Sequence, residues 1–295
     1  MLKANKIEIK GKIKIVHTDD GIYVLKPKTR DTNRQIIPYL KSRKFEYFPE
    51  IIEENDDYIM MPYLEDYDIP KEQKMMDLVE LMGLLHSKTT HYKDVTEDDY
   101  KEIYEDLSNN ILYLQTYYED MITFIENKVY YSPKEYLLAR NITKIFSSLY
   151  FCKQELELWY DMVKEKREKR ITVLHNNLRL EHFIRNEKSY FISLDKAKVD
   201  IPVFDFYKLY HRHILEYDFN KIFKKYNKIY PLTDDEKKLL FILVSLPEKL
   251  EFTEDEYEDT LKVSKMIDKL YKSEYFISPY YTKEGEKNHT QENKN

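Results

Sequence analysis

Residues 174–183 read Leu-His-Asn-Asn-Leu-Arg-Leu-Glu-His-Phe, and this stretch decides how the rest of the chain is interpreted. It lies between two short apolar runs, 171–174 and 190–194, that predict strands. Asp195 follows the second run, and Asp205 lies in the helical pattern that comes next. We therefore look for the functional residues of the chain in and around this loop.

Length and composition describe a globular chain without a general affinity for polyanions. The 295 residues can bury a substantial core, and 42% of them are hydrophobic. The net charge of −6 argues against nucleic-acid partners and against an anionic membrane surface. No apolar run approaches the roughly 18–20 residues of a spanning helix. The N-terminus runs directly into a strand pattern with no signal peptide, so we expect a cytoplasmic location and no membrane partner.

Glycine is scarce, which limits the kinds of nucleotide site that the chain can form. The four glycines, at 11, 21, 83 and 285, lie far apart in the sequence. A glycine-rich phosphate loop needs several residues that tolerate positive φ and that let backbone N–H groups approach phosphate. Neither of the two common glycine-rich nucleotide patterns is present. The sequence therefore excludes a phosphate loop of either type.

The apolar periodicity changes along the chain from that of strands to that of helices. Apolar and polar residues alternate in the first 65 residues, with a hairpin signal at 18–21 and a helical stretch at 31–44. Pro38 conflicts with a regular helix there unless it lies in the first turn. From about residue 70 the period is helical. The pattern predicts an α+β chain with a sheet lobe at 1–65, a mostly helical lobe at 66–282 that carries the loop, and a disordered polar tail at 283–295.

Several short segments, in their order along the chain, resemble the aminoglycoside and choline phosphotransferase superfamily, including its spore-coat kinase-like branch. They are Val24-Leu25-Lys26, Leu81-Met82-Gly83-Leu84-Leu85-His86-Ser87, residues 173–183, Ile192-Ser193-Leu194-Asp195 and Pro202-Val203-Phe204-Asp205-Phe206. The resemblance covers roughly residues 5–275. It implies a bilobal protein-kinase-like fold, with a small N-terminal β-sheet lobe and a larger, mostly helical C-terminal lobe. It also implies ATP and Mg²⁺ as cofactors.

The resemblance assigns roles to two charged residues outside the loop. Lys26 corresponds to the lysine that pairs with the α- and β-phosphates, and Asp195 to the aspartate that holds magnesium. The helix glutamate that usually positions such a lysine is missing, because the candidate helix offers only Asp31, Asn33, Arg34 and Gln35. We therefore expect Lys26 to lack a clear positioning partner. We also expect the ammonium of Lys196 to neutralise part of the charge of Asp195.

The loop departs from the family at the two positions that carry its chemistry. The family pattern is His-Gly-Asp, four residues, then Asn; here Asn177 replaces the catalytic-base aspartate and His182 replaces the metal-binding asparagine. A carboxamide cannot take a proton at neutral pH, although its oxygen can orient a hydroxyl group. A neutral imidazole ligates metals but suits magnesium less than oxygen does. His175 and Asp205, which resemble the residues that brace the loop, remain in pattern.

These substitutions favour a pseudokinase, a kinase-like protein with a degenerate active site and a binding or regulatory role. Its partner is a nucleotide, an unidentified small molecule or another protein, and ATP and Mg²⁺ are the cofactors if any is bound. The first alternative is an atypical ATP-dependent small-molecule phosphotransferase that acts on a hydroxyl group, with Asn177 only orienting the acceptor. The second alternative is a structural or assembly protein on a kinase fold that binds neither cofactor.

Overall fold

The chain is described by a computed structural model that covers residues 4–28 and 32–292. Its N-terminal part is a five-stranded antiparallel sheet in the order β1-β2-β3-β5-β4. The strands are β1 (Ala4–Lys10), β2 (Ile13–Thr18), β3 (Gly21–Pro27), β4 (Glu53–Glu54) and β5 (Tyr58–Pro62). Helix α1 (Thr32–Ser42) lies between β3 and β4 in the sequence. This arrangement confirms the predicted N-terminal sheet with one helix.

Local sequence explains the turns of this sheet. Gly11, at φ +61°, turns β1 into β2, and Gly21, at φ +146°, opens β3 after the predicted Asp-Gly turn. The register pairs Lys26 of β3 with Ile59 of β5. The sequence at 48–52 predicts a strand, but this prediction is wrong, since β4 contains only residues 53–54. Pro49 lies inside the predicted strand and cannot donate to a strand ladder, which accounts for the shorter pairing.

Pro38 lies well inside α1 rather than in its first turn, so the expectation for this residue is wrong. An internal proline removes one helical hydrogen bond. The same helix buries Leu40 completely, and burial of this apolar side chain offsets part of that cost. Asp31, one of the candidate partners of Lys26, lies outside the described residues, and so do the side chains of Asn33 and Arg34.

The remainder of the chain is mostly helical. Its helices are α2 (Lys71–Thr89), α3 (Glu97–Glu126), α4 (Pro133–Val163), α5 (Val203–His213), α6 (Phe219–Ile229), α7 (Asp234–Ser245) and α8 (Glu256–Glu292). The short strands are β6 (His91–Asp94), β7 (Glu168–Leu174), β8 (Phe183–Arg185), β9 (Ser189–Phe191) and β10 (Lys198–Asp200). The α+β prediction is thereby confirmed. Within the described part of the chain, none of the helices has the length and apolar character needed to cross a membrane.

One compact unit contains the sheet and the loop. It comprises residues 1–91, 170–209 and 222–231. Helix α2 forms its centre and buries a stripe of apolar side chains, Met75, Leu78, Val79, Met82 and Leu85. Gly83 on the same helix lets α6 approach closely, because a Cβ atom there would lie 3.1 Å from Ile229. This packing fixes the position of α2 beneath the loop.

The other compact unit comprises residues 92–169, 210–221 and 232–295. Helix α4 is its centre and packs against α3, α7 and α8. A capping box between Ser132 and Glu135 starts α4, with Pro133 in the first turn. The apolar pattern predicts a break or bend between residues 133 and 168; residues 133–163 form one helix, which ends inside that interval. The sequence at 233–236 predicts a helix cap, and a capping box between Thr233 and Glu236 starts α7.

Helix α8 continues to Glu292, where composition predicted a disordered tail from residue 283. Residues 283–292 include two lysines and three glutamates, which are good helix formers, so a polar composition does not by itself end a helix. The division of the chain at residues 65 and 282 into two lobes and a tail stays a prediction.

Candidate functional site

The backbone of the loop at 175–177 is held by a single buried carboxylate. Asp205 lies in the first turn of α5 and has no exposed surface. Its Oδ2 accepts the backbone N–H of His175 and its Oδ1 accepts the backbone N–H of Asn176, both at 2.7 Å. A buried carboxylate is tolerated when its oxygens are hydrogen-bonded in this way. The geometry is that of a loop brace, as expected for Asp205.

His175 is buried at the end of β7 and braces the loop from within. Its Nε2 lies 2.9 Å from the carbonyl oxygen of Ile192, and its Nδ1 lies 3.3 Å from the backbone nitrogen of Asn177. A carbonyl can only accept and an amide N–H can only donate, so the imidazole carries its proton on Nε2 and is neutral. Burial lowers the pKa of His175, which agrees with a neutral ring.

A second buried histidine lies below the carboxylate of Asp205. His86, near the end of α2, places Nε2 3.3 Å from Oδ2 of Asp205 and Nδ1 2.7 Å from the hydroxyl of Tyr226. Its side chain has no exposed surface. His86 thus packs beneath the loop. The brace therefore extends from the loop backbone through Asp205 to α2 and α6.

Asn176 is a structural residue that the sequence analysis missed. Its φ of +61° is left-handed, and it occupies the glycine position of the family pattern. Asparagine is one of the few residues that tolerate this conformation. Its Nδ2 donates to the backbone carbonyl of Lys196 at 2.8 Å, and its Oδ1 accepts from the ammonium of Lys208. The sequence feature that could have indicated this role is the asparagine at the position where the family has glycine.

The two altered positions lie next to one another. Nδ1 of His182 donates to the backbone carbonyl of Asn177 at 2.8 Å, and the rings of His182 and His175 stack with centroids 6.1 Å apart. The carboxamide of Asn177 forms no hydrogen bond with any other described residue. The loop therefore leaves this carboxamide available while the backbone around it is fully engaged.

Lys26 and Asp195 form an ion pair, in which the Lys26 ammonium donates to Oδ1 of Asp195. Their side chains are 20% and 26% exposed. Asp195 lies in a 3₁₀ turn, Leu194–Lys196, that follows Ser193 in the left-handed conformation at φ +62°. The described partner of Lys26 is therefore Asp195 and not a helix glutamate. Lys196, the cation expected to neutralise Asp195, forms no ion pair within the described part of the chain, whereas the ammonium of Lys26 lies against that carboxylate.

A largely apolar pocket adjoins this ion pair. It is lined by Lys26 and Asp195 and otherwise by Ile37, Phe48, Pro49, Ile51, Ile59, Met61, Phe191, Ile192, Ser193 and Leu194. Ligand pockets in proteins commonly combine apolar walls with a few polar groups in this way. All of its residues belong to the unit that holds the loop.

The donor set around Asp195 does not fit a magnesium ion. Among residues 4–28 and 32–292, no group of three or more His, Cys, Asp or Glu side chains is placed to hold a metal. Asp195 is engaged by Lys26, and the second family position is an imidazole, a weak partner for a hard cation. We therefore derive no chemical step through a metal at this site.

The fold is that of aminoglycoside phosphotransferases. A crystal structure of an aminoglycoside phosphotransferase from Alicyclobacillus acidocaldarius superposes with a TM-score of 0.70 over 96% of this chain and 93% of that chain, at 11% identity. A spectinomycin phosphotransferase, crystallised with ADP and spectinomycin, superposes with a TM-score of 0.50 over 92% and 94% of the two chains, at 10% identity. Its AMP-bound complex also has a TM-score of 0.50, at 10% identity over 95% and 91%. No family model and no curated protein matches the chain by sequence.

These similarities confirm the protein-kinase-like fold that the sequence predicted. At 10–11% identity they concern the fold alone. The roles of Lys26, Asp195, Asn177 and His182 in binding or catalysis stay predictions, as does the spore-coat branch. What the structure adds is their arrangement, with Lys26 and Asp195 in one ion pair and Asn177 and His182 in one hydrogen-bonded loop.

Proposed function

We propose that the chain is a pseudokinase: a nucleotide-binding protein with little or no phosphotransfer, which acts through binding or regulation. The observation that carries the proposal is the contrast within the loop. Asp205 and His175 hold its backbone in place, while the position of the catalytic base holds the carboxamide of Asn177. A carboxamide cannot accept the proton that a hydroxyl acceptor loses on transfer.

Nucleotide binding is the second part of the proposal. The pocket beside Lys26 offers apolar walls against which a base could pack, and the ammonium of Lys26 can pair with a phosphate once it leaves Asp195. The spectinomycin phosphotransferase of the same fold was crystallised with ADP and with AMP, which supports a nucleotide here by fold analogy. We expect this binding to be insensitive to Mg²⁺, because the donor set does not fit that ion.

The test is nucleotide binding by calorimetry and thermal shift, with and without Mg²⁺, on the wild type and on Lys26→Ala. We expect ATP or ADP to raise the melting temperature of the wild type, equally with Mg²⁺ or EDTA, and to do so less in the variant. A wild type that no nucleotide stabilises would instead favour a structural or assembly role. The matched control is Lys28→Ala, two residues along the same segment, whose ammonium pairs with Glu54 at 2.9 Å.

A second candidate function is a slow phosphotransferase that acts on a hydroxyl group. It is favoured by the carboxamide of Asn177, which has no hydrogen-bond partner among the described residues and can orient an acceptor. Phosphoryl transfer depends mostly on positioning and charge stabilisation, so loss of the base alone need not abolish it. Turnover of ATP with Mg²⁺ over a panel of hydroxyl compounds decides between the two. Robust turnover that disappears in Asp195→Ala, and that Asn177→Asp keeps or raises, would falsify the pseudokinase.

A further inference from the structure

Two lysines beside the loop have no acidic partner among the described residues. Lys208 lies on α5, and its ammonium donates to the neutral carboxamide oxygen of Asn176. The same carboxamide donates to the backbone carbonyl of Lys196, whose own side chain is exposed. Neither ammonium forms an ion pair with a carboxylate in the described part of the chain. Asn176 thus joins two segments that each carry an uncompensated positive charge.

Some other lysines of this unit pair with carboxylates. Lys225 pairs with Glu80 at 2.6 Å, Lys198 pairs with Asp200 at 2.5 Å, and Lys26 pairs with Asp195. The chain as a whole has more acidic than basic residues, 54 against 48. A half-buried lysine whose described partner is a neutral carboxamide, as for Lys208, is therefore a candidate for binding an external anion.

Several carboxylates near the loop are already engaged by other groups. Both oxygens of Asp205 face the backbone amides of residues 175 and 176, and Asp205 is fully buried. Asp195 and Asp200 have the lysine partners named above. Lys208 is half-buried, and partial removal of a cation from water costs free energy unless an opposite charge repays it. The position is therefore suited to a negatively charged ligand.

We propose that Asn176, Lys196 and Lys208 form a binding site for a phosphate group of a ligand. The site adjoins Asn177, so the proposal rests on the proposed function for the nucleotide that would lie nearby. The phosphate belongs either to the nucleotide, as its terminal group, or to a separate phosphorylated compound. An ammonium forms charge-assisted hydrogen bonds with phosphate oxygens, and a carboxamide N–H can donate a further hydrogen bond. The same charges repel a polyamine.

In the experiment, inorganic phosphate is titrated into the full chain in the absence of nucleotide, and binding is measured by calorimetry. The variant Lys208→Gln keeps a hydrogen-bond donor for Asn176 but removes the charge. Lys225→Gln is its matched control, because Lys225 lies in the same unit and is 29% exposed but has a carboxylate partner. We expect Lys208→Gln to weaken phosphate binding about tenfold or more, as loss of a charge-assisted hydrogen bond does, and Lys225→Gln to leave it unchanged.

A second variant keeps the test independent of folding. Lys196→Gln changes only an exposed ammonium, since Asn176 contacts the backbone carbonyl of residue 196. We expect it to weaken phosphate binding as well, at an unchanged melting temperature. Spermidine, a polycation, serves as the probe of opposite charge and should not bind. The proposal is overturned if millimolar phosphate does not bind to the wild type, or if both lysine variants bind it as the Lys225→Gln control does.

Two further arms identify the source of the phosphate. If it is the terminal group of the nucleotide, Lys208→Gln loses any preference for ATP over ADP, and phosphate competes with ATP. If it belongs to a separate ligand, the protein loaded with ADP still binds phosphate and the variant still binds it weakly. Phosphate binding that depends on Lys208, in a chain that binds no nucleotide, would support this site and reject the nucleotide-binding part of the proposed function.

Discussion

The buried side chains that hold the loop, here called the frame, differ in their contacts from the two side chains that the loop presents, Asn177 and His182. His175, Asp205 and His86 have no exposed surface and share a continuous set of hydrogen bonds. The carboxamide of Asn177 makes no hydrogen bond among the described residues, and Nδ1 of His182 only contacts the Asn177 backbone. The contrast indicates that the side chains at the positions of the family's chemistry contribute little to the stability of the loop. They can change without loss of the fold.

The largest effect is expected at Asp205. Asp205→Ala leaves two backbone N–H groups and His86 without their acceptor in a buried place, so we expect a loss of about 3–5 kcal/mol in the free energy of unfolding. Urea unfolding followed by circular dichroism measures it. Asn177→Ala is the control from the other side of the comparison and should change stability by less than about 0.5 kcal/mol. Equal losses in the two variants would abolish the contrast.

His86 is expected to give the next largest effect. His86→Phe keeps a buried ring but leaves the Tyr226 hydroxyl and one contact of Asp205 unmatched, at a cost of about 2–3 kcal/mol. Tyr226→Phe removes the hydroxyl alone. The double variant should recover about 1 kcal/mol relative to the sum of the single changes, because both remove one hydrogen bond. Strict additivity in the urea measurements would mean that the contact between the two side chains contributes nothing.

His175 should make stability depend on pH. Burial lowers its pKa in the folded chain below the ordinary value of about 6.5. Between the two values the unfolded chain binds more protons, so the free energy of unfolding falls as pH drops below about 6.5. The difference in the free energy of unfolding between the wild type and His175→Gln should therefore shrink as the pH falls from about 6.5 towards 5. A difference constant with pH would contradict a neutral, buried imidazole.

Lys26 is expected to give the smallest effect on stability. The ion pair with Asp195 is partly exposed, and such pairs contribute about 0–1 kcal/mol. Lys26→Met should therefore barely change the urea midpoint while it weakens nucleotide binding. Asp195→Asn removes the other charge of the pair, and it should also leave the urea midpoint almost unchanged. A large loss of stability in either variant would show that this ion pair, like the frame, holds the fold together.

The sequence predicted most of the fold and the identity of the frame, but not the contacts of the site. Strand alternation, the hairpin at 18–21 and the motif order led to the sheet and the kinase-like fold. The ion pair of Lys26 with Asp195 joins residues 169 positions apart, and no local pattern encodes such a contact. Pro38 inside α1 and the short β4 also escaped prediction, because tertiary burial and a proline overrode local propensity.

Asn176 couples the opening of three segments to one another. Its side chain ties the loop to the turn at 194–196 and to Lys208 of α5, so none of them opens without breaking one of its hydrogen bonds. The backbone amides of Asn176 and Ala197 should then exchange with solvent deuterium through the same opening event. A glycine at 176 would accept the positive φ equally well, but it has no side chain to link the three segments, so each could open independently. The asparagine therefore makes the loop, the turn and the helix move as one element.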